Sequence, residues 1–350
     1  MSDPRGVLRR LDGLPDDLLD CPAERLLQRL GGPALISIPG GGGPPLFLSV
    51  LLHGNERSGW NGLRRFLSET RRLPRDAVVF IGNPRAAAVG LRTLADQQDH
   101  NRIWCGAAEP EATLVREVRS VIDARRWFAA VDLHNNTGHN PHYTVLTEPS
   151  PENLGLARLL SDTAVLVEEP DTVLTRAFDG VCPAVTLELG PIDDERSDER
   201  ARDYVERCFA LDAVPRARRE DLTLFRSLAR VHVAERAEFD FADGSEARAP
   251  DGPALRLTGG VEGVNFHHLP AGFEFGRGSG ELGALLRVLD VDHVDVTGDF
   301  FDLVDGSVRL TRAVTPAMYT TDPLVVRQDC LCYFMEPMAP DEDMSRRRSA

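Results

Sequence analysis

The sequence predicts an α/β fold, in which a largely parallel or mixed sheet is flanked by helices and followed by a smaller β-rich domain. Apolar strand-like runs alternate with amphipathic helical segments from about Ala34 to Leu211, as they do in α/β sheets. Two of these runs end in a histidine and a third contains a glutamate. After about Val214 the alternation gives way to short β-rich segments separated by Gly, Pro and Asp. The pattern therefore predicts two structural parts, and polar groups gathered at the carboxyl ends of the strands of the first.

Each element of the first part is predicted from its apolar pattern and from the residues that bound it. A short strand, Ala34–Ile38, precedes the glycine-rich run Pro39–Pro45. This run lacks the Lys-Ser/Thr of a phosphate loop, so we interpret it as a flexible hairpin connection. The further predicted strands are Leu46–Leu52, Ala77–Gly82, Phe128–His134, Tyr143–Thr147, Ala164–Glu168 and Ala184–Leu189. The predicted helices are Ser58–Thr70, Glu111–Arg126, Pro151–Asp162 and Asp194–Leu211.

The second part begins after a basic, polar break at Arg216–Arg219. We assign residues 1–215 to a catalytic domain and residues 216–350 to a compact β-rich domain. The predicted strands of the β-rich domain are Ala229–Ala234, Leu255–Leu257, Gly272–Phe275, Leu285–Leu289, Leu303–Val308 and Cys332–Phe334.

Composition excludes several classes of protein. The chain has 350 residues, 42% of them apolar, which is enough for a full core in two domains or in one domain with an appendage. Its formal charge of −15 argues against a nucleic-acid partner, whose phosphates require a basic face. No apolar run approaches the roughly 20 residues that span a bilayer, so we expect no membrane association. Six cysteines without zinc-knuckle spacing favour a reduced, cytoplasmic protein. A homo-oligomer is compatible with this composition.

The candidate metal-binding residues follow from the histidines at the strand ends. His53 and Glu56 stand at i and i+3 just after one apolar strand, and His134 ends another. A single His-x-x-Glu occurs by chance in many proteins, so the pair alone carries little weight. Two histidines and a glutamate nevertheless suit a catalytic zinc with an open position, and Asp132 could be an outer carboxylate. Glu188 lies between two leucines, where a buried charge is costly without a functional reason.

Five short segments together resemble the succinylglutamate desuccinylase/aspartoacylase family, a branch of the M14 zinc carboxypeptidase-like enzymes. The segments are His53–Glu56, Gly82–Ala86, Asp99–Arg102, Asp132–Thr137 and Thr186–Gly190, in the order that the family has them. The resemblance implies a carboxypeptidase-like mixed sheet flanked by helices, with one zinc ion per chain.

The resemblance also implies a role for each matching residue. His53, Glu56 and His134 would be the zinc ligands and Glu188 the general base. Asn101 and Arg102 would hold a substrate carboxylate. Two further arginines depart from the family's spacing. Arg92, which would polarise the scissile carbonyl, is two residues further from Arg102 than expected, and Arg176, a second substrate arginine, is two residues further from Glu188.

These residues indicate a zinc-dependent amidohydrolase that removes the acyl group from a small anionic N-acyl amino acid. Zinc lowers the pKa of bound water to about 7, and Glu188 would take the proton as the water attacks the amide. A metallocarboxypeptidase acting on a short peptide is the alternative, since Asn101 and Arg102 could also bind a peptide's free carboxylate. A third hypothesis is a protein that binds a ligand without catalysis, but such a protein has no need of Glu188 as a base.

Overall fold

The computed structural model describes residues 8–168, 172–242 and 254–339. They divide into two compact units. Unit 1 contains the described residues up to 135 together with those of 142–223, and unit 2 contains 136–141 and the described residues from 224 onward. The assignment of a catalytic domain to 1–215 and of a β-rich domain to 216–350 stays a prediction.

Unit 1 combines a mixed sheet with flanking helices, which confirms the predicted fold class. Its strands are β1 (Arg9–Asp12), β2 (Ala34–Ile38), β3 (Leu46–Val50), β4 (Ala77–Ile81), β5 (Ala129–Asn136), β6 (Tyr143–Leu146), β7 (Thr163–Leu166) and β8 (Ala184–Pro191). Its α-helices are α1 (Asp16–Leu19), α2 (Leu26–Leu30), α3 (Ser58–Glu69), α4 (Pro84–Ala87), α5 (Glu111–Ile122), α6 (Pro151–Arg158) and α7 (Glu195–Phe209).

The strand order in unit 1 is β1-β2-β4-β3-β5-β8-β6-β7. Strand β3 runs parallel to β4 and to β5, whereas β2 is antiparallel to β4 and β6 is antiparallel to β8. The prediction of a hairpin at Pro39–Pro45 is wrong. Strand β4 lies between β2 and β3 in the sheet, so this glycine-rich segment connects two strands that are not hydrogen-bonded to each other.

Helices cover both faces of this sheet. Strand side chains alternate between the faces, so Phe47 and Phe80 pack in one apolar cluster with residues of α5. On the other face α3 approaches the sheet closely at Gly59. A Cβ atom at Gly59 would lie 2.7 Å from Cβ of Leu133 and 3.3 Å from Cγ1 of Val50. The start of α3 is therefore held against the ends of β3 and β5, and only glycine leaves room for this contact.

Unit 2 is rich in strands, as predicted. Its strands are β9 (Thr223–Val233), β10 (Glu238–Phe241), β11 (Ala254–Leu257), β12 (Glu274–Ser279), β13 (Leu286–Asp290), β14 (Phe301–Val304), β15 (Ser307–Leu310), β16 (Thr315–Ala317) and β17 (Cys332–Pro337). Its short helices are α8 (Leu282–Leu285), α9 (Thr297–Phe300) and α10 (Pro323–Gln328). Strand β9 pairs with β13 and β17, and the order β10-β11-β12-β15-β14 forms a separate sheet. Phe275, Phe301 and Phe334 lie in the hydrophobic core of unit 2.

One predicted strand of unit 2 is wrong. The segment Leu303–Val308 is not continuous, because Asp305 and Gly306 form a turn between β14 and β15. Both residues have positive φ angles, 51° and 76°, which the tight turns of β-hairpins require. An Asp-Gly pair between two short runs that contain alternating apolar residues is the sequence signal for such a hairpin.

Two further features concern the whole described chain. Among the residues that the structure describes, no helix is long and apolar enough to cross a membrane. All six cysteines lie among the described residues, and none of them forms a disulfide bond.

Candidate metal centre and active site

The two segments that carry the candidate ligands meet at one edge of the unit 1 sheet. Strands β3 and β5 are parallel and in register, with Val50 opposite Leu133. The residues that follow these positions therefore emerge side by side. His53 and Glu56 lie in the turn between β3 and α3, and His134 lies near the end of β5. The sequence-predicted ligands are thus brought together by ordinary strand pairing.

Glu56 joins the two histidines. Its Oε1 atom is 2.8 Å from Nδ1 of His53, and its Oε2 atom is 2.7 Å from Nδ1 of His134. All three residues are at most 4% exposed, and one ligand atom from each can be chosen so that all lie within 4.8 Å of one another. Both Nδ1 atoms and the carboxylate therefore face a common point.

The outer nitrogen of each imidazole contacts a second carboxylate. Nε2 of His53 is 3.0 Å from Oδ1 of Asp99, and Nε2 of His134 is 2.8 Å from Oδ2 of Asp132. A carboxylate on the outer nitrogen fixes the tautomer and orientation of a metal-binding histidine and raises its basicity. Asp132 stands where the sequence suggested an outer carboxylate, whereas the sequence analysis gave Asp99 no role.

The pKa values show how strongly these charges interact. Burial alone would lower the pKa of His134, but the carboxylates of Asp132 and Glu56 raise it well above its ordinary value. Burial alone would raise the pKa of Asp99, but His53 and Arg92 hold it well below its ordinary value. The pKa of Glu56 is likewise lowered by His53 and His134 against the effect of burial. The cluster is thus a buried negative environment that favours a bound cation.

The donor set fits a zinc ion. Zinc in catalytic sites takes three protein ligands from imidazole nitrogens and carboxylate oxygens, with a further position open. Two inward Nδ1 atoms and one Glu56 carboxylate supply such a set, and Asp99 and Asp132 supply its outer support. Oδ1 of Asp132 is buried without a hydrogen-bond partner, and Oδ2 of the same carboxyl group contacts Nε2 of His134.

Glu188 lies on β8, next to β5 in the sheet order. It is 8% exposed, and its Oε2 atom is buried without a hydrogen-bond partner. Burial raises the pKa of Glu188 to about 8, with smaller effects from the charges of His134 and Glu56. A carboxyl group with this pKa can both accept and return a proton near neutral pH, as a general base and acid must.

The raised pKa of Glu188 makes a prediction about stability. Between pH 4.5 and 8 the folded protein retains a proton on Glu188 that the unfolded chain has lost. The free energy of unfolding of the metal-free protein should therefore fall as pH rises, by up to about 1.4 kcal/mol per pH unit from this group. Glu188→Gln should remove that slope.

The measurement compares the denaturant stability of metal-free wild type and Glu188→Gln at several pH values. Other titrating groups affect both proteins alike, so the difference between them reports on Glu188. The variant should be the more stable protein at pH 8, and the two should converge near pH 4.5. A difference that is constant with pH would contradict the raised pKa.

Arg92 lies at the same cluster despite its irregular spacing in the sequence. Its side chain is 11% exposed, with NH1 3.5 Å from Oε1 of Glu56 and NH2 3.1 Å from Oδ2 of Asp99. A guanidinium group in this place can face negative charge that develops beside the candidate ligands.

Asn101 and Arg102 follow Asp99 in one short segment. Oδ1 of Asn101 accepts a hydrogen bond from the backbone N–H of Leu174, 3.0 Å away. NH1 of Arg102 donates to the carbonyl oxygen of Asn101 at 3.0 Å. The carbonyl of the Asn101 amide therefore positions the short helix Leu174–Phe178, and its NH₂ group is the part that could bind a ligand.

Arg176 has contacts of a different kind. It lies in the 3₁₀ helix Leu174–Phe178, where NH2 donates to the carbonyl oxygen of Glu168 at 3.2 Å and NH1 donates to Asp179 at 3.4 Å. These bonds join Arg176 to its own loop rather than to the histidine cluster, so its role toward substrate stays a prediction.

Comparison with known proteins agrees with this geometry. Residues 42–210 match the family model of the succinylglutamate desuccinylase/aspartoacylase catalytic domain. This match confirms the resemblance to the family that the sequence predicts. The matched residues include every candidate site residue, from His53 to Glu188. No curated protein sequence matches the chain.

Solved structures with the same fold include three related proteins. Succinylglutamate desuccinylase from Chromobacterium violaceum is 18% identical, with a TM-score of 0.52 over 85% of this chain and 86% of that one. Murine aminoacylase 3 is 18% identical, with a TM-score of 0.56 over 84% and 95%. A succinylglutamate desuccinylase/aspartoacylase from Rhodobacter sphaeroides is 14% identical, with a TM-score of 0.53 over 87% and 89%. At these identities the likeness shows that the chain has the same fold as these proteins.

Proposed function

We propose that this protein is a zinc-dependent amidohydrolase that removes the acyl group from a small, anionic N-acyl amino acid. The observation that carries the proposal is a buried glutamate with an unpartnered oxygen, Glu188, next to a buried His53–Glu56–His134 cluster. The family match over residues 42–210 supports the same class of reaction.

The chemistry is divided between the ligands and the base. His53, Glu56 and His134 would hold the zinc ion, which when bound supplies Lewis-acid catalysis of amide hydrolysis and lowers the pKa of water. Glu188 would accept a proton from the attacking water and return it to the leaving amine. Its low exposure keeps bulk water from competing for that proton.

The arginines would provide charge for the substrate. Arg92, which contacts Glu56 and Asp99, would stabilise the negative charge that develops on the carbonyl oxygen. Arg102 would bind the substrate carboxylate with its planar fork, and the NH₂ group of Asn101 would add a further hydrogen bond. A substrate that combines an amide with a free carboxylate fits these groups.

The test is the release of amine from a panel of N-acetyl and N-succinyl amino acids beside short peptides, with zinc added or chelated. We expect zinc-dependent hydrolysis of one or more N-acyl amino acids. Preferential hydrolysis of peptides would favour the carboxypeptidase alternative, and zinc-independent turnover would contradict the proposal.

The role of Arg102 gives a prediction about substrate charge. Arg102→Lys should lower kcat/KM for free-acid substrates about ten- to a hundredfold, because an ammonium group cannot form the two parallel hydrogen bonds of a guanidinium. Hydrogen bonds to charged groups contribute roughly 1.5–3 kcal/mol, which corresponds to this range.

The control is the amidated analogue of the same substrate. Wild type should hydrolyse it poorly, and Arg102→Lys should hydrolyse it almost as well as wild type does. Equal wild-type rates on the free acid and the amide would show that Arg102 does not bind a carboxylate.

A further inference from the structure

Asn135 directly follows the candidate ligand His134 in β5 and is 2% exposed. Its backbone N–H donates to Oε2 of Glu56 at 3.2 Å, the same oxygen that contacts Nδ1 of His134. The side chain of Asn135 points to the opposite face of the strand from His134, because successive side chains alternate. The side chain of Asn135 therefore does not point into the cluster, and it can affect the cluster only through the segments that it contacts.

The side chain of Asn135 fixes the start of α3. Its Oδ1 atom accepts a hydrogen bond from the backbone N–H of Ser58 at 3.1 Å, and its Nδ2 atom donates to Oγ of Ser58 at 3.0 Å. The residue that precedes the helix, Arg57, provides no side-chain cap. Asn135 thus satisfies a backbone donor at the helix start that lacks a local partner. Glu56 lies two residues before Ser58, so its position depends on this contact.

The same side chain fixes the end of β8. Nδ2 of Asn135 also donates to the carbonyl oxygens of Gly190 at 3.0 Å and Pro191 at 3.2 Å. Glu188 lies two residues before Gly190 on this strand. One buried amide therefore binds the elements that carry Glu56, His134 and Glu188, and it uses both its acceptor and its donors in doing so.

We propose that Asn135 is a positioning residue, which sets the geometry between the Glu56–His134 pair and Glu188. The inference rests on the proposed function for its effect on turnover, but its effect on metal affinity does not require that function. The turn after β3 and the end of β8 are far apart in the sequence, and the amide of Asn135 is hydrogen-bonded to both. Loss of the side chain should shift both groups without removing a ligand or the base.

Asn153 offers a matched control in the same unit. It is 5% exposed, its Oδ1 atom accepts from the backbone N–H of Ala184 at 3.0 Å, and its Nδ2 atom donates to the carbonyl oxygen of Glu148 at 2.8 Å. It therefore binds the first residue of β8, whereas Asn135 binds the end that follows Glu188. Removal of either amide leaves buried backbone groups without partners and should lower stability.

The experiment compares Asn135→Ala with Asn153→Ala in the full chain. Both variants should have lower thermal midpoints than wild type. Only Asn135→Ala should weaken zinc binding, by about 10- to 100-fold in competition with a chromophoric chelator. Only Asn135→Ala should also lower kcat by about 10- to 100-fold while KM changes little, because a small displacement of the base affects the reaction more than substrate binding.

A double variant separates positioning from general damage. With zinc saturating, Asn135→Ala should lower kcat less when Glu188 is already replaced by Gln than it does in wild type, because the base that it positions is gone. The proposal would be overturned if Asn135→Ala kept the zinc affinity and kcat of wild type. It would also be overturned if Asn153→Ala showed equal losses, or if the losses in the double variant were fully additive.

Two further outcomes also decide between the hypotheses: a failure of Asn135→Ala to fold, and a wild type that hydrolyses no substrate. If Asn135→Ala does not fold, Ser58→Ala removes one acceptor of the same network and should weaken zinc binding about fivefold; unchanged affinity in that variant would count against the proposal. If wild type binds zinc but hydrolyses no substrate of the panel, the proposed function fails, and the zinc affinities of the two asparagine variants still decide the role of Asn135.

Discussion

Glu188→Gln should lower kcat by about 10²- to 10⁴-fold while the protein still binds zinc and substrate. Glutamine has nearly the same shape as the protonated glutamate and preserves the packing of β8, but it cannot accept a proton. Burial raises the pKa of Glu188 to about 8, so its carboxyl group can exchange a proton near neutral pH, whereas the amide of the variant cannot. The measurements are steady-state kinetics on the best substrate and metal analysis of the purified variant.

Glu188→Asp is the companion variant for this prediction. It retains a carboxylate but withdraws it by one methylene group, so its activity should lie between those of Glu188→Gln and wild type. Turnover near the wild-type rate in Glu188→Gln would require a different base.

His53→Ala and His134→Ala should each reduce the zinc content well below one equivalent and abolish hydrolysis. Either change leaves two protein ligands where a catalytic zinc site has three. It also leaves an outer carboxylate, Asp99 or Asp132, without the imidazole that it contacts at 3.0 or 2.8 Å. The zinc content of each variant is measured by elemental analysis after dialysis against metal-free buffer.

His267→Ala is the matched histidine control, because His267 is exposed and Nδ1 of its ring lies 2.9 Å from the carbonyl oxygen of Asn265. It should retain zinc and activity. Full zinc occupancy in either ligand variant would refute the metal site.

Much of the fold could be predicted where local pattern and tertiary structure agree. The strand Ala34–Ile38 has the bounds that its flanking glycines and prolines indicate. Strand β1 was missed because Arg9–Asp12 is charged and mostly exposed, so it carries no apolar alternation. The hairpin assigned to Pro39–Pro45 failed for a different reason. The insertion of β4 between two strands depends on pairing with distant residues, and no local pattern records it.

Some residues of the candidate site could likewise be predicted from the sequence, and others could not. His53, Glu56, His134 and Glu188 could be found because each follows or occupies an apolar strand, and the ends of neighbouring strands meet in space. The contacts of Asn135 could not be found, since they depend on two elements that reach it only in the folded chain.

The absence of a side chain at Gly59 has a consequence for how variation affects this protein. The residue follows the helix start that Asn135 holds, and a single methyl group there would meet Leu133 at 2.7 Å, next to His134 in the chain. A substitution at Gly59 would thus separate β5 from the segment that carries Glu56, although it alters no ionisable group and touches no substrate. Natural or laboratory variants can therefore lose the geometry of the candidate metal site through a change in side-chain volume alone.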